Sequence, residues 1–188
     1  EAQVPAFYTV TTASKHDSTA MSSIHYEPKA YYIFDRAYDS FKELYRIHLT
    51  DSFFVVRAKT NLKYKTVKWK RRMPKNIMTD AEVKLTGYLS EKKYPESFRL
   101  VRYYDEEDDR ELTFLTNAKQ LSALEVANLY KKRWLIELFF KWLKQHLKIK
   151  KFWGTTENAV RIQISVAIIT YCLVAIVQHD MKLKRSTY

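Results

Sequence analysis

Glycine is almost absent from this chain of 188 residues; only Gly87 and Gly154 occur. A dinucleotide fingerprint or a phosphate-cradling loop needs several glycines within one turn, so both are excluded. Cysteine is rarer still. Cys172 stands alone, which rules out an internal disulfide and fits a reducing compartment. Acids are few against bases, 21 to 33, and the net charge is +12 with a sequence pI near 9.6. A balance this basic predicts an anionic partner, most often nucleic acid. No signal peptide is visible. The longest mild run, Ile164 to Val177, falls short of the ~20 residues that span a bilayer. It reads as a buried core helix, with Cys172 a small core residue within it. The chain starts at Glu1, without Met, and so reads as a fragment of something longer.

What is present in quantity is apolar and aromatic. Hydrophobic residues make up 46% of the chain and aromatics 15%, enough to bury a real core. The charge is clustered. Arg57 to Thr79 holds nine basic residues and no acid, and Lys131 to Lys151 is basic apart from Glu137. The acids gather at Asp105, Glu106, Glu107, Asp108, Asp109 and Glu111, a run that reads as a solvated turn between strands.

The most informative residues are Tyr130, Arg133, Glu137, Lys141 and Lys144. At about 100° per residue their offsets place them within roughly 80° on a helix. The rest of that helix is Leu129, Trp134, Leu135, Ile136, Leu138, Phe139, Phe140, Trp142 and Leu143. A helix apolar on nearly every other side is expected to be buried. One carboxylate and three cations on it are costly unless something binds them. A metal-bound nucleic-acid backbone supplies the partners: a cation for Glu137 and phosphates for the bases.

Along the chain, strands are expected at Ala6–Thr12, Ala30–Phe34 and Phe53–Arg57, with helices at Asp17–Ile24 and Phe41–Leu49. This alternation of short apolar strands and helices argues an α/β sheet. Further strands are expected at Lys63–Trp69, Val83–Leu89, Phe98–Tyr104 and Leu112–Leu115, separated by turn signals, as an antiparallel β insertion. Ser122 and Glu125 form a capping box that opens a helix running to about Lys148. A last helix spans about Asn158 to His179. The expected organisation is 1–60 as the first part of a core, 61–118 as the β-rich insertion and 119–188 as the C-terminal helices of the core.

Tyr130-x2-Arg133-x3-Glu137-x6-Lys144, with its flanking aromatics, strongly resembles the YREK signature of bacterial DDE transposases of insertion-sequence family 4. Phe34-Asp35-Arg36-Ala37-Tyr38 resembles the segment around that family's second aspartate, and His16-Asp17 a histidine–aspartate pair before it. The β insertion between Asp35 and Glu137 lies where the family carries one. The resemblance implies an RNase H-like catalytic core, a mixed sheet flanked by helices, and metal-dependent cleavage and strand transfer of DNA at transposon ends. It makes Asp35 and Glu137 the catalytic, metal-binding carboxylates for Mg²⁺ or Mn²⁺, two ions in the complete site. Tyr130, Arg133, Lys141 and Lys144 become the DNA-binding set. It further implies DNA as partner, at transposon ends and target. A homodimer in the active complex, no membrane, and a bacterial, nucleoid-associated cytoplasmic setting complete the implied picture.

The family's first aspartate lies on a strand upstream of Ala6–Thr12. The chain is therefore expected to lack the first strand or two and, alone, to be inactive. Asp17 and Asp39 are poor substitutes, one a helix cap and the other beyond a strand end. In-line displacement at phosphorus needs two cations to activate the attacking oxygen and stabilise the leaving one. Asp35 at a strand end and Glu137 on a helix are the natural pair for it. The bland alternatives are a turn role for Asp35 and an i,i+4 ion pair to Lys141 or an i,i+4 pair to Arg133 for Glu137. The family can form a DNA hairpin with a base flipped onto an aromatic; Tyr64, Trp69 and Tyr88 are candidates. The run Lys63–Lys75 suits a strand-tracking surface or, equally, a lysine-guarded sheet edge. A nuclease of the same fold and a non-catalytic DNA-binding remnant are the alternative functions.

Overall fold

The computed structural model describes residues 4–11, 20–38, 40–70, 73–147 and 151–182. They fall into two compact units, one within residues 13–133 and one joining the segments 1–12 and 134–188.

The first unit is a six-stranded mixed sheet between helices. Its elements are β1 (Tyr31–Phe34), α1 (Phe41–Leu49), β2 (Phe53–Arg57), β3 (Tyr64–Trp69), β4 (Ile77–Leu85), α2 (Tyr88–Lys93), β5 (Phe98–Asp105), β6 (Arg110–Thr116) and α3 (Ala123–Lys131). The strand order is β1-β2-β6-β5-β4-β3. β1 and β2 run parallel and every other pairing is antiparallel. The β-rich stretch thus extends the sheet begun by β1 and β2, through β6.

Alternation along the strands assigns the two faces. Phe54, Val56 and Leu115 point to one face, where they pack with Leu44 and Ile47 of α1 and with Tyr94. Val55, Phe114 and Leu112 point to the other, against Val126, Ala127 and Tyr130 of α3. Covered on both faces, β2 reads as an unbroken apolar run, as buried parallel strands do. Ser122 starts α3 with both capping-box bonds formed. Of the acidic run, Glu106–Asp109 form the turn between β5 and β6, while Asp105 ends β5 as a buried residue and Glu111 lies on β6.

The second unit contains α4 (Trp134–His146) and α5 (Glu157–Asp180). Thr156 caps α5 through its side chain. Trp142 and Leu143 pack with Ala167, Ile168, Tyr171 and Ala175.

Four expectations are corrected. Residues 6–11 form no strand. A strand needs a paired neighbour, and the sheet's six strands do not include this segment; Tyr8 instead donates its hydroxyl proton to Ser165 Oγ at 2.7 Å. Val83–Leu89 is not one strand, because Tyr88 and Leu89 open α2 just after Gly87. The long helix after Ser122 is two helices, parted at Lys132 and Arg133, where Arg133 N–H donates to the Tyr130 carbonyl at 3.0 Å in a tighter i→i−3 turn. Neither Gly nor Pro marks the break. The apolar helices are also not wholly buried. Trp134, Ile136 and Phe140 on α4 are exposed, and so are Ile169, Leu173, Ile176 and Val177 on α5. By length and composition α5 could cross a membrane, but its Ala167, Ile168 and Tyr171 face packs within the unit. Of the helix expected at Asp17–Ile24, residues 17–19 lie outside the described residues; Met21–Ser23 form one 3₁₀ turn.

Candidate active site

Parallel strands leave their C-terminal ends side by side, and ligands of α/β sheets bind just beyond such ends. Here Phe34 pairs with Val56. The next residues, Asp35 just beyond β1 and Arg57 at the end of β2, where it still pairs with Phe114 of β6, therefore lie side by side. This register brings a carboxylate and a guanidinium together from distant parts of the sequence.

Asp35 is half-buried and held by several groups. Its Oδ1 accepts from the Arg36 backbone N–H at 2.7 Å and from the Tyr130 hydroxyl at 3.0 Å. The Arg133 guanidinium lies 3.7 Å from Oδ2. Partial burial acts to raise the Asp35 pKa. The Arg36 amide, the Tyr130 hydroxyl and the charges of Arg133 and Arg57 outweigh it, and the carboxyl stays below its ordinary value. Asp35 is accordingly ionised at neutral pH. Burial pushes Tyr130 up, and the Asp35 charge and hydrogen bond add to this, so its hydroxyl keeps its proton.

Tyr130 reaches Asp35 because α3 fixes its ring. The side chain is buried, with its ring centroid 4.7 Å from that of Phe114 on β6. The Arg133 guanidinium carbon lies 5.7 Å from the same ring.

Beside Asp35 is a cleft of about 360 Å³ lined by Arg36, Arg57, Lys59, Tyr64 and Arg102, the last paired with Glu111, which also lines it. Arg36 Nε is buried there without a hydrogen-bond partner. Cations in a cleft with an unanswered donor are the chemistry of an anion site. The sequence reading did not single out Arg36, Arg57 or Arg102. The signal for Arg57 was available only through the β1–β2 register.

Of the expected residues, the structure brings Asp35, Tyr130 and Arg133 together in the sheet unit. Glu137, Lys141 and Lys144 lie on α4 in the other unit, all exposed. Their spacing of four and three residues keeps them on one helical face. The stripe that appeared continuous from Tyr130 to Lys144 is therefore divided between two helices. Among the described residues no group of three or more His, Cys, Asp or Glu is placed to hold a metal ion. His16, Asp17 and Asp39 lie outside the described residues. β3 forms an edge of the sheet, with Tyr64, Val67 and Trp69 exposed among lysines. That position suits either reading of the basic run.

The Transposase DDE domain family matches residues 1–173. A protein of Sinorhizobium fredii that carries the name of a transposase, y4zB, is 35% identical over 181 residues, which cover 94% of this chain and 50% of the relative. One from Geobacillus stearothermophilus, named as a transposase for insertion sequence element IS5377, is 30% identical over 174 residues, 92% of this chain and 46% of the relative. A third, from Synechocystis and named for element IS4SA, is 40% identical over 73 residues. The chain spans about half the length of the first two. Matched over residues 1–173 and built on a mixed sheet between helices, the chain belongs to the transposase DDE domain family.

Proposed function

We propose that this chain is the part of a DNA transposase that carries two carboxylates of its catalytic centre, in a protein that cleaves and joins DNA strands at transposon ends. One observation carries this reading: Asp35 is held ionised beyond a parallel strand end, beside a cleft lined by Arg36, Arg57 and Arg102. A negative ligand ringed by cations suits a metal bound to a phosphodiester, where both signs are needed at close range.

Asp35 and Glu137 would hold Mg²⁺ or Mn²⁺. The donor set fits, because Mg²⁺ takes a few carboxylate oxygens and keeps several waters. Bound divalent ions supply charge stabilisation for attack and departure at phosphorus. The chain's own residues do the positioning. Arg133, Lys141 and Lys144 hold phosphates beside the scissile bond, Arg by a fork and Lys as a point charge. Tyr130 belongs to the same motif, with its hydroxyl either on a phosphate or on Asp35. Arg57 and Arg36 extend the phosphate track along the cleft. Residues 61–118 act as an insertion into a core formed by 1–60 and 119–188. Paired transposon ends and target DNA are the partners, in a dimer, in the cytoplasm of a bacterium at the nucleoid.

The test is the affinity of the chain for a labelled duplex across salt concentrations. Counterion release predicts log K falling linearly with log salt, and Lys141→Ala or Lys144→Ala each reducing the slope by about one. A flat salt dependence would overturn the phosphate reading. Strand-transfer products from the full-length protein distinguish a transposase from a nuclease of the same fold.

A further inference from the structure

We infer that Tyr130 is a positioning residue for the Asp35 carboxylate: its hydroxyl occupies Oδ1 and leaves Oδ2 as the oxygen presented to a divalent cation. This rests on the proposed metal role of Asp35 and assigns Tyr130 a task other than gripping a phosphate.

Donor and acceptor capacity decides which carboxylate oxygen is open. A carboxylate oxygen has two lone pairs in the plane of the group. Both donors to Oδ1 are already in place, the Arg36 amide at 2.7 Å and the Tyr130 hydroxyl at 3.0 Å. Oδ1 is thereby filled. Among the described residues Oδ2 meets the long approach of Arg133 at 3.7 Å, beyond a normal N–H···O bond. A cation that seeks a hard oxygen finds Oδ2.

The tyrosine has one proton to give. Given to Asp35, it is not available to a phosphate, so the two roles compete. The fold supports the carboxylate. Tyr130 is 6% exposed and lies in the cluster formed by Phe114, Val126 and Ala127. The capping box at Ser122 and Glu125 anchors the start of the helix that bears it. Two donors far apart in the sequence, the amide of residue 36 and the hydroxyl of residue 130, fix the carboxylate plane. Residues that orient a ligating carboxylate typically change metal affinity by about tenfold to hundredfold when removed.

The test is Mn²⁺ binding to the full 188-residue chain, followed by electron paramagnetic resonance of the free ion. Tyr130→Phe keeps the ring and deletes only the donor. The expected result is about tenfold to hundredfold weaker Mn²⁺ binding, with thermal unfolding little changed. Metal-free duplex affinity at fixed salt stays at the wild-type level. Installing p-aminophenylalanine at position 130 restores a donor and should recover most of the affinity, even if the phenylalanine variant proves poorly folded. Unchanged Mn²⁺ affinity in Tyr130→Phe, or a loss of duplex affinity in its place, overturns the inference and returns Tyr130 to the phosphate. Asp35→Asn separates the two levels of the argument. If it binds Mn²⁺ as well as the wild type, or if the wild type binds none, the metal role of Asp35 fails and this inference falls with it. If Asp35→Asn abolishes binding while Tyr130→Phe does nothing, only the positioning role is lost.

Discussion

The sheet unit and the helical unit treat charge differently. In the sheet unit one buried pair of opposite charges is joined at close range. Asp80 and Arg99, each 4% exposed, form a bidentate pair with both contacts at 2.6 Å. Arg99 also donates to the backbone carbonyls of Ala118 and Leu121. Asp35 is held in the same way at the sheet's end. In the helical unit Glu137, Lys141 and Lys144 stand on an exposed face, and large apolar side chains such as Trp134, Ile136 and Phe140 are exposed beside them. The contrast teaches that the surroundings of Asp35 are built in advance by the sheet unit. Glu137, Lys141 and Lys144 are carried by a helix held through a small cluster centred on Trp142, Leu143 and Tyr171.

The largest effect that would break this contrast lies in the buried pair. Removing one partner of such a pair leaves an uncompensated charge and costs about 3–5 kcal/mol. Arg99→Ala should lower the urea-unfolding stability of the sheet unit by that amount; a loss below about 1 kcal/mol would show the pair to be solvated. Leu143→Ala comes next. Truncating a buried leucine costs about 3 kcal/mol, and hydrogen exchange should show α4 and α5 loosened while β4 and β5 stay protected. Uniform loss across both units would mean that they unfold as one. Ser122→Ala removes the cap of α3 and should cost about 1 kcal/mol, with Tyr130 the residue whose surroundings respond.

Acid sharpens the same comparison. Burial acts to raise Asp80, but the Arg99 hydrogen bonds and charge together with Lys70 hold it below its ordinary 3.8. Its folded pKa is depressed, so its stabilising effect is complete above the unfolded value and is lost as pH falls through the folded one. Asp35 has the same sign. Urea midpoints of the sheet unit should therefore fall only in strong acid, and Asp80→Asn should flatten that acid limb. A midpoint that already declines near neutral pH would place the sensitive groups elsewhere.

Much of this was legible in the sequence where local rules decide. Phe41–Leu49 and Phe53–Arg57 have the bounds that periodicity predicts, and the Ser122–Glu125 spacing signals a cap that forms both of its bonds. The α/β class follows from the same alternation. What was not legible depends on distant neighbours. Residues 6–11 have strand composition but no strand beside them. The break at Lys132–Arg133 has no Gly or Pro to announce it. In the candidate site, Asp35 was found by resemblance. Its bond to Tyr130 spans 95 residues, and its proximity to Arg57 depends on a parallel register that no local pattern encodes. The spacing of Tyr130, Arg133, Glu137, Lys141 and Lys144 suggests a single helix that the chain does not form.

In the proposed function Asp35 and Glu137 serve one metal-dependent centre. A double-mutant cycle on Mn²⁺ affinity tests it most directly, using Asp35→Asn, Glu137→Gln and the two combined. Shared ligation predicts that each single change removes most of the binding and that the double variant binds no more weakly than the worse single one. Losses that simply add, or a single variant that binds Mn²⁺ like the wild type, would contradict it.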